Sequence, residues 1–135
     1  MILLDRVIDW TPNNLTAEVL INRKVPFFTN DGVPVHVAIE YMAQACGAFV
    51  GVEALQHGRA PRLGLLLGTR NFCGYQPWFC EGDRLRVTVE VVYRDDEMGL
   101  FDCTVAHAER DELVASARLT VFQPADGSTI GNIDG

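Results

Sequence analysis

The sequence predicts an α+β fold in which one long helix packs against a largely antiparallel β-sheet. A single stretch, residues 34–56, has the length and apolar composition of a buried helix, whereas residues 83–122 consist of segments that alternate like strands. Consecutive strands joined by short turns pair antiparallel, and the helix then covers one face of the sheet. Because the helix is apolar on nearly all sides, the sheet must curl around it or a second subunit must cover it.

The chain opens with a predicted β-hairpin. Residues 2–10 are apolar with partial alternation, residues 11–14 (TPNN) have turn chemistry, and residues 15–21 alternate like a strand. An irregular stretch follows at residues 22–34, with two prolines and the breaker run Asn-Asp-Gly.

The long helix is predicted to begin at about Pro34 and to end near Gln56-His57-Gly58. Proline suits the first helical turn, and glycine suits the position after the last one. Its small residues would allow a sheet to approach the helix backbone closely: Ala43, Gly47, Ala48 and Gly51.

After the helix the pattern returns to strands. A strand at residues 63–72 leads into a lobe rich in bulky side chains, and three alternating segments then predict a β-meander at residues 83–94, 100–108 and 113–122. We expect one domain over residues 1–123 and a mobile tail at residues 124–135. No internal repeat or linker divides the chain.

Composition excludes several classes of function. The 135 residues have 48% hydrophobic and 21% charged side chains, which is typical of a globular protein, and the net charge of -7 argues against a nucleic-acid binder. No window of the sequence approaches the roughly 20 apolar residues that a membrane span needs. The N-terminus MILLDRVID lacks the layout of a signal peptide, which favours a cytoplasmic protein. Four cysteines without a CxxC pair favour neither a metal site nor a disulfide framework.

The predicted apolar helix carries one polar stripe, formed by His36, Glu40 and Gln44. Residues four apart lie about 40° apart around a helix axis, so the three side chains share one face. A carboxylate in apolar surroundings would be partly desolvated, which favours its protonated form and suits a proton donor. A histidine can take up a proton near neutrality, and the positive helix end nearby would stabilise an anionic oxygen.

Two interpretations of the stripe remain open at this point. His36 and Glu40 could form a plain ion pair at a helix start, which contributes only a few tenths of a kcal/mol. Alternatively, they are a base and an acid that remove a proton beside a carbonyl and expel a hydroxyl.

The chain resembles the hotdog-fold 3-hydroxyacyl-[acyl-carrier-protein] dehydratases. The string IEYMAQACGAFVG resembles their central-helix motif, ILLDRV their first strand, CEGDRLRVTVEV their "PGD-x-L" strand and LVASARLTVF their last strand. The strings GVPVHVAIEYMAQ, GLLLGTRNF and LFDCTV are more similar to the divergent dehydratase-like branch of aryl-polyene lipid biosynthesis. The resemblance covers roughly residues 1–123.

This resemblance implies a hotdog fold and a dimer whose two sheets join edge to edge. Active sites would lie at the subunit interface, a tunnel would hold an acyl-phosphopantetheine arm from an acyl carrier protein, and no metal or other cofactor would be needed. In the family a histidine removes the α-proton while the helix carboxylate protonates the departing β-hydroxyl, and Glu40 occupies the position of that carboxylate.

The sequence departs from the family at the histidine. The family's catalytic histidine lies in an HFP-type turn that matches Pro26-Phe27-Phe28, where no histidine is present. The Pro-Gly before the helix is replaced by Pro34-Val35. We favour the interpretation that His36 has taken over the role of base. Because the family's histidine and carboxylate come from different subunits, His36 could face the Glu40 of another subunit. The alternative is a degenerate subunit that supplies Glu40 to a heterodimer with a related dehydratase.

Several further residues have both a functional and an ordinary interpretation. Arg70 could line the site or be a rim arginine, Gly68 could admit substrate or mark a bulge, and Gln44 could orient Glu40 or lie at the dimer interface. His57 is interpreted as a helix cap and His107 as a solvated histidine near a hairpin turn. An acidic carrier protein needs a basic docking spot, for which the candidates are loop residues whose ordinary role is solubility: Arg23, Lys24, Arg59 and Arg62.

Three functions therefore compete. The first is dehydration of a 3-hydroxyacyl thioester to the trans-2-enoyl thioester. The second is a non-catalytic partner subunit of another dehydratase, and the third is a hotdog acyl thioesterase, which also uses a carboxylate on the central helix.

Overall fold

One helix and eight strands make up the computed structural model, which describes residues 2–59 and 65–122, without the side chains of residues 65–67. A 3-10 turn, Val35–Val37, leads into the helix. The elements in chain order are β1 (Arg6–Thr11), β2 (Asn14–Leu20), β3 (Val33–Pro34), α1 (Ala38–Gln56), β4 (Leu65–Gly74), β5 (Trp78–Phe79), β6 (Arg84–Arg94), β7 (Met98–His107) and β8 (Glu112–Phe122).

Six of the strands form an antiparallel sheet in the order β1-β2-β6-β7-β8-β4, and β3 pairs with β5 in a small separate ladder. The predicted opening hairpin and the predicted meander β6-β7-β8 are confirmed. Alternate side chains of the strands face the helix and are buried, among them Leu85, Val87 and Val89 of β6. This long helix against a curled antiparallel sheet is the hotdog fold, as predicted.

The start of α1 differs from the prediction. The α-helix begins at Ala38 rather than near Pro34, because residues 35–37 form the tighter 3-10 turn. The Val35 backbone N–H donates to the Pro77 carbonyl at 3.0 Å, which ties this turn to the strand β5 region. The helix ends at Gln56 as predicted, and Gly58 follows with a left-handed φ of 68°.

The sheet covers one side of α1. The helix packs chiefly on β2 and β6 and buries eight residues: Ala38, Tyr41, Met42, Ala45, Cys46, Phe49, Val50 and Ala54. The expectation that no stretch has the length and apolar composition of a membrane span is corrected by Val35–Gln56, which is long and apolar enough to cross a membrane. Its packing on the sheet makes it the core helix of the fold. Glu40 and Gly47 on the opposite side are exposed, so the sheet alone does not enclose the helix.

An ion pair fixes the C-terminal half of α1 to the sheet. Arg94, at the end of β6, donates two hydrogen bonds to the Glu53 carboxylate, and its guanidinium lies 5.4 Å from the Phe49 ring centroid. Phe49 in turn packs edge-on against Phe101 of β7. The helix therefore has a defined position relative to the sheet.

The predicted mobile tail, residues 124–135, lies outside the described residues, as does Arg62. The expectation of one domain over residues 1–123 stays a prediction.

Candidate functional site

His36 and Glu40 lie at the N-terminal end of the core helix, on its uncovered side. His36 is in the 3-10 turn and Glu40 is in the first turn of α1, and both residues are exposed. Among the residues that the structure describes, neither side chain makes an ion pair. The interpretation of the two residues as a plain ion pair therefore has no support.

The expected desolvation of Glu40 is wrong for the single chain. Glu40 faces away from the sheet, and no other part of the described chain buries it. The sequence analysis left two ways to cover the apolar helix, a curled sheet or a second subunit, and the curl of this sheet reaches only part of the helix. A carboxylic acid that stays protonated near neutral pH needs cover, which the described residues of this chain do not supply at Glu40.

The helix start is nevertheless suited to an anionic oxygen. No side chain caps the N-terminus of α1, although the preceding 3-10 turn already engages the Ala38 backbone N–H with the Val35 and His36 carbonyls. The positive end of the helix dipole still favours a negative charge here. On the buried side of this turn, Tyr41 packs against Phe79 of β5. Burial, with a smaller effect of Asp5, raises the pKa of Tyr41 to about 12, so its hydroxyl stays neutral. On its buried side, the helix start that carries the exposed His36 and Glu40 therefore packs through the aromatic rings of Tyr41 and Phe79.

Gln44 continues the stripe and is half-buried. Its Oε1 accepts a hydrogen bond from the Leu3 backbone N–H at 2.7 Å, which ties the N-terminal segment across the helix. Beside this bond, a groove of about 490 Å³ runs between that segment and the uncovered helix face, and its lining is mostly apolar: Ile2, Leu4, Arg6, Val7, Gln44, Gly47 and Ala48. The sequence analysis missed this groove, because the pairing of residues 2–4 with the helix is a tertiary contact.

The structure does not bring Arg70 to Glu40. Arg70 pairs in register with Arg118 of β8, whose neighbours Ala117 and Leu119 face the core. Arg70 and Arg118 therefore lie on the outer face of the sheet, away from the helix.

Gly68 of β4 lies at a register shift in the pairing with β8, and a Cβ added there would have no atom within 4 Å. The predicted bulge is present at this position. Open space beside Gly68 leaves room for a ligand, so its predicted role in substrate binding stays a prediction.

The turn that matches the family's histidine carries Phe27. Its side chain is 50% exposed, and its backbone has a φ of 69°, which is unfavourable for a residue with a Cβ. The turn therefore presents an aromatic ring where the resemblance places a base. Within the described chain, the exposed histidine at the helix start is His36.

The burial of His107 differs from the prediction. It is only 5% exposed, whereas a solvated histidine was predicted from its position near a hairpin turn. His107 is the last residue of β7 and points to the same face as Phe101, Cys103 and Val105, so the alternation of the strand carries it inside. His57 is the C-terminal cap residue of α1, which agrees with its interpretation as a helix cap.

The basic residues proposed for carrier docking that the structure describes are exposed. Arg23 lies 3.2 Å from Glu81, and its guanidinium is 5.9 Å from the Phe28 ring centroid, so part of its charge is already engaged. Lys24 and Arg59 are exposed as well. Within residues 2–59 and 65–122, no group of three His, Cys, Asp or Glu side chains could hold a metal ion.

Comparison with known families identifies one match. A family model described as ApeP-like, ApeP dehydratase, matches residues 1–132. None of the curated proteins is significantly similar in sequence.

Solved structures with the same fold include dehydratases and thioesterases. A chain of "The Dehydratase Heterocomplex ApeI:P from Xenorhabdus doucetiae" is 29% identical, with a TM-score of 0.89 over 99% of this chain and 90% of that chain. A hypothetical thioesterase with coenzyme A from Streptococcus pneumoniae is 13% identical (TM-score 0.70, 90% and 86% of the two chains). The PaaI protein of the phenylacetic acid degradation operon of E. coli is 12% identical (TM-score 0.68, 87% and 78%). At such low identity the last two share only the fold with this chain.

Proposed function

The chain belongs to the ApeP-like dehydratase family, and on that premise we propose that it acts in dehydrating a 3-hydroxyacyl thioester to the trans-2-enoyl thioester, with the acyl group carried on an acyl carrier protein. The substrate would belong to fatty-acid or polyene-type lipid synthesis, which takes place in the cytoplasm. The observation that carries the proposal is Glu40, a carboxyl group in the first turn of the core helix at the position where the resemblance places the acid.

In this reaction a base removes the proton at Cα, and the electron pair forms the Cα–Cβ double bond. The Cβ–O bond breaks, and the protonated Glu40 carboxyl gives its proton to the departing hydroxyl, which leaves as water. Glu40 needs a dry environment for this role, and the single chain leaves it exposed. The proposal therefore includes a partner subunit that covers the open helix face and closes the site.

His36 is the proposed base in a homodimer, where the His36 of one subunit would face the Glu40 of the other. One observation favours a second candidate: the 29% identical relative belongs to a heterocomplex of dehydratases. In that case this chain is a half-site subunit, and a related dehydratase supplies the base that Phe27 replaces here. Both versions use Glu40, and they differ in the role of His36.

The test is dehydration of a 3-hydroxyacyl N-acetylcysteamine thioester, followed as enoyl absorbance, by the purified chain alone and after co-expression with a related dehydratase. Glu40→Gln should reduce kcat by at least about 100-fold, while Glu90→Gln, which changes an exposed carboxylate on the sheet, should leave kcat unchanged. Full activity of the Glu40→Gln variant would refute the mechanism.

The two assemblies are separated by His36→Ala. A loss of activity in the homodimer supports His36 as the base. An inactive homodimer together with an active, His36-independent heterodimer supports the half-site subunit. Release of free thiol without enoyl product would instead indicate a thioesterase.

A further inference from the structure

The outer face of the main sheet, on the side away from α1, carries a row of charged side chains that crosses it from strand to strand. Residues that are paired in register in an antiparallel sheet point to the same face. The row consists of residues whose Cα atoms are paired from each strand to the next: Asn14 (β2), Glu90 (β6), Asp102 (β7), Arg118 (β8) and Arg70 (β4). Strands lie about 4.8 Å apart, so the four charged positions span roughly 14 Å.

The charges along this row are separated by sign. The two carboxylates lie on β6 and β7, and the two guanidinium groups lie on β8 and β4. In the middle of the row, Arg118 donates two hydrogen bonds to Asp102, at 2.8 and 3.3 Å. At its ends, Glu90 and Arg70 are exposed, and neither makes an ion pair within residues 2–59 and 65–122. One half of the row is therefore acidic and the other half is basic.

The surface beside the row allows another surface to approach closely. Two residues away along each strand, a second row consists of short hydroxyl side chains: Thr16, Thr88, Thr104 and Ser116. A shallow cavity of about 470 Å³ lies on the same face, and residues of both rows line it. The charged side chains are longer than their neighbours, so they would meet a second surface first.

The separation by sign makes the row complementary to itself. Copies of one chain usually assemble about two-fold axes, which bring the same patch of both subunits into contact. A two-fold axis that runs parallel to the strands, between β7 and β8, reverses the order of the strands in the second copy. Asp102 then faces Arg118 of the second copy, and Glu90 faces Arg70 of the second copy. An axis along the row would instead place like charges opposite each other, so charge selects the first arrangement.

The curl of the sheet limits the size of this contact. Because α1 lies on the concave side, the outer face is convex, and a second copy touches only a few strands. Aligned sheets pack about 10 Å apart, a distance that an arginine and a carboxylate can bridge from opposite sides. Exposed ion pairs are individually weak, and the net charge of -7 on each copy adds repulsion. The association should therefore be detectable at about 100 μM chain rather than at about 1 μM.

We propose that the outer face of the sheet is an interface with a second copy of this chain, aligned by the cross pairs Asp102–Arg118 and Glu90–Arg70, each of which occurs twice. The interface differs from the open side of α1, where the proposed function needs a partner subunit, so both contacts can exist in one assembly. The inference does not depend on the proposed function.

The test is sedimentation velocity of the full chain from about 1 to 300 μM, since self-association depends on concentration. The variants are Arg70→Glu, Glu90→Arg and the double variant Arg70→Glu/Glu90→Arg, which exchanges the two charges. The matched control is Arg110→Glu, which changes a 62% exposed arginine in the turn after β7 and alters the net charge as Arg70→Glu does.

The wild-type chain should show a concentration-dependent doubling of its mass. Each single reversal should weaken this association at least about tenfold in Kd, because the two-fold axis makes every substitution act twice and opposes like charges. The double variant should return to within about threefold of the wild-type Kd, and Arg110→Glu should stay within the same range.

The double variant decides where the two charges meet. Glu90 and Arg70 lie on strands separated by β7 and β8, so a recovery of association on exchange shows a contact between copies rather than within one chain. Three results would overturn the proposal: no doubling of mass at 300 μM, as expected for Kd values far above about 1 mM, single reversals no weaker than Arg110→Glu, or a double variant no stronger than the single reversals. The readout is mass rather than dehydration, so failure of the proposed function leaves the result unaffected.

Discussion

The ion pair between Glu53 and Arg94 should make a measurable contribution to stability. The two side chains are 18% and 22% exposed, and two hydrogen bonds join them. Exposed pairs contribute about 0–1 kcal/mol, whereas removing one partner of a buried pair costs about 3–5 kcal/mol. With a fifth of each side chain exposed, we expect Arg94→Met to cost about 2 kcal/mol.

The expected destabilisation by Arg94→Met combines two contributions, of which the ion pair with Glu53 is the first. The guanidinium of Arg94 also lies over the Phe49 ring, a contact worth about 0.5–2 kcal/mol. A double-mutant cycle with Glu53→Gln separates them, because the Phe49 contact is lost in both arms that lack Arg94. We expect a coupling free energy between Glu53 and Arg94 of about 1 kcal/mol at pH 7.

The coupling should depend on pH in a defined direction. The hydrogen bonds from Arg94 hold the pKa of Glu53 below its usual value, although burial opposes this. A depressed folded-state pKa stabilises the protein above the unfolded value of about 4.3, and the contribution is lost as pH falls through the folded value. The coupling measured at pH 7 should therefore decrease below about pH 4.

The assay is urea unfolding of the four proteins of the cycle at pH 7 and at acidic pH. The exposed pair of Arg118 and Asp102 provides the control, since its side chains are 41% and 48% exposed. The equivalent cycle there should give about 0.5 kcal/mol or less. A Glu53–Arg94 coupling no larger than that of the control would refute the reasoning.

Two further predictions concern backbone space and a buried hydroxyl. Gly32→Ala should destabilise the chain by more than about 2 kcal/mol in urea, because its φ is 115° and a Cβ would lie within 2.4 Å of the Phe79 carbonyl oxygen. Gly47→Ala should instead stabilise the helix by about 0.5–1 kcal/mol, because a Cβ added at Gly47 would have no atom within 4 Å. A larger loss of stability in Gly47→Ala than in Gly32→Ala would contradict both predictions. The pKa of Tyr41 in the folded protein is about 12, against an ordinary value of 10. The neutral hydroxyl therefore contributes fully to the free energy of unfolding below pH 10. Between pH 10 and 12 this contribution decreases by about 1.4 kcal/mol per pH unit. Tyr41→Phe should lack that slope in unfolding measurements at pH 9 to 11, and an identical slope would exclude Tyr41 as its source.

The sequence pattern within single elements was sufficient to predict most of the fold. The long apolar run from Pro34, the turn TPNN and the alternation in DRLRVTVEVV each reflect interactions within one element or between neighbours in the chain. These features predicted the helix, the opening hairpin and the meander. The 3-10 turn at Val35 was not predictable, because it depends on a hydrogen bond to Pro77, more than 40 residues away.

The sequence by itself determined that Glu40 lies on a core helix one turn before Gln44, since helical periodicity fixes the relative position of the two residues. The structure placed Glu40 in the first turn, because the α-helix begins at Ala38. Only the tertiary structure decided whether these side chains are covered. The sheet curls around one side of α1, which leaves His36 and Glu40 exposed and places Arg70 on the outer face. The predicted strand at residues 100–108 already contained His107, and its alternation with Phe101, Cys103 and Val105 carries the ring inside; the nearby turn was given too much weight. Burial depends on which distant segments meet, and the sequence pattern of one element does not contain that information.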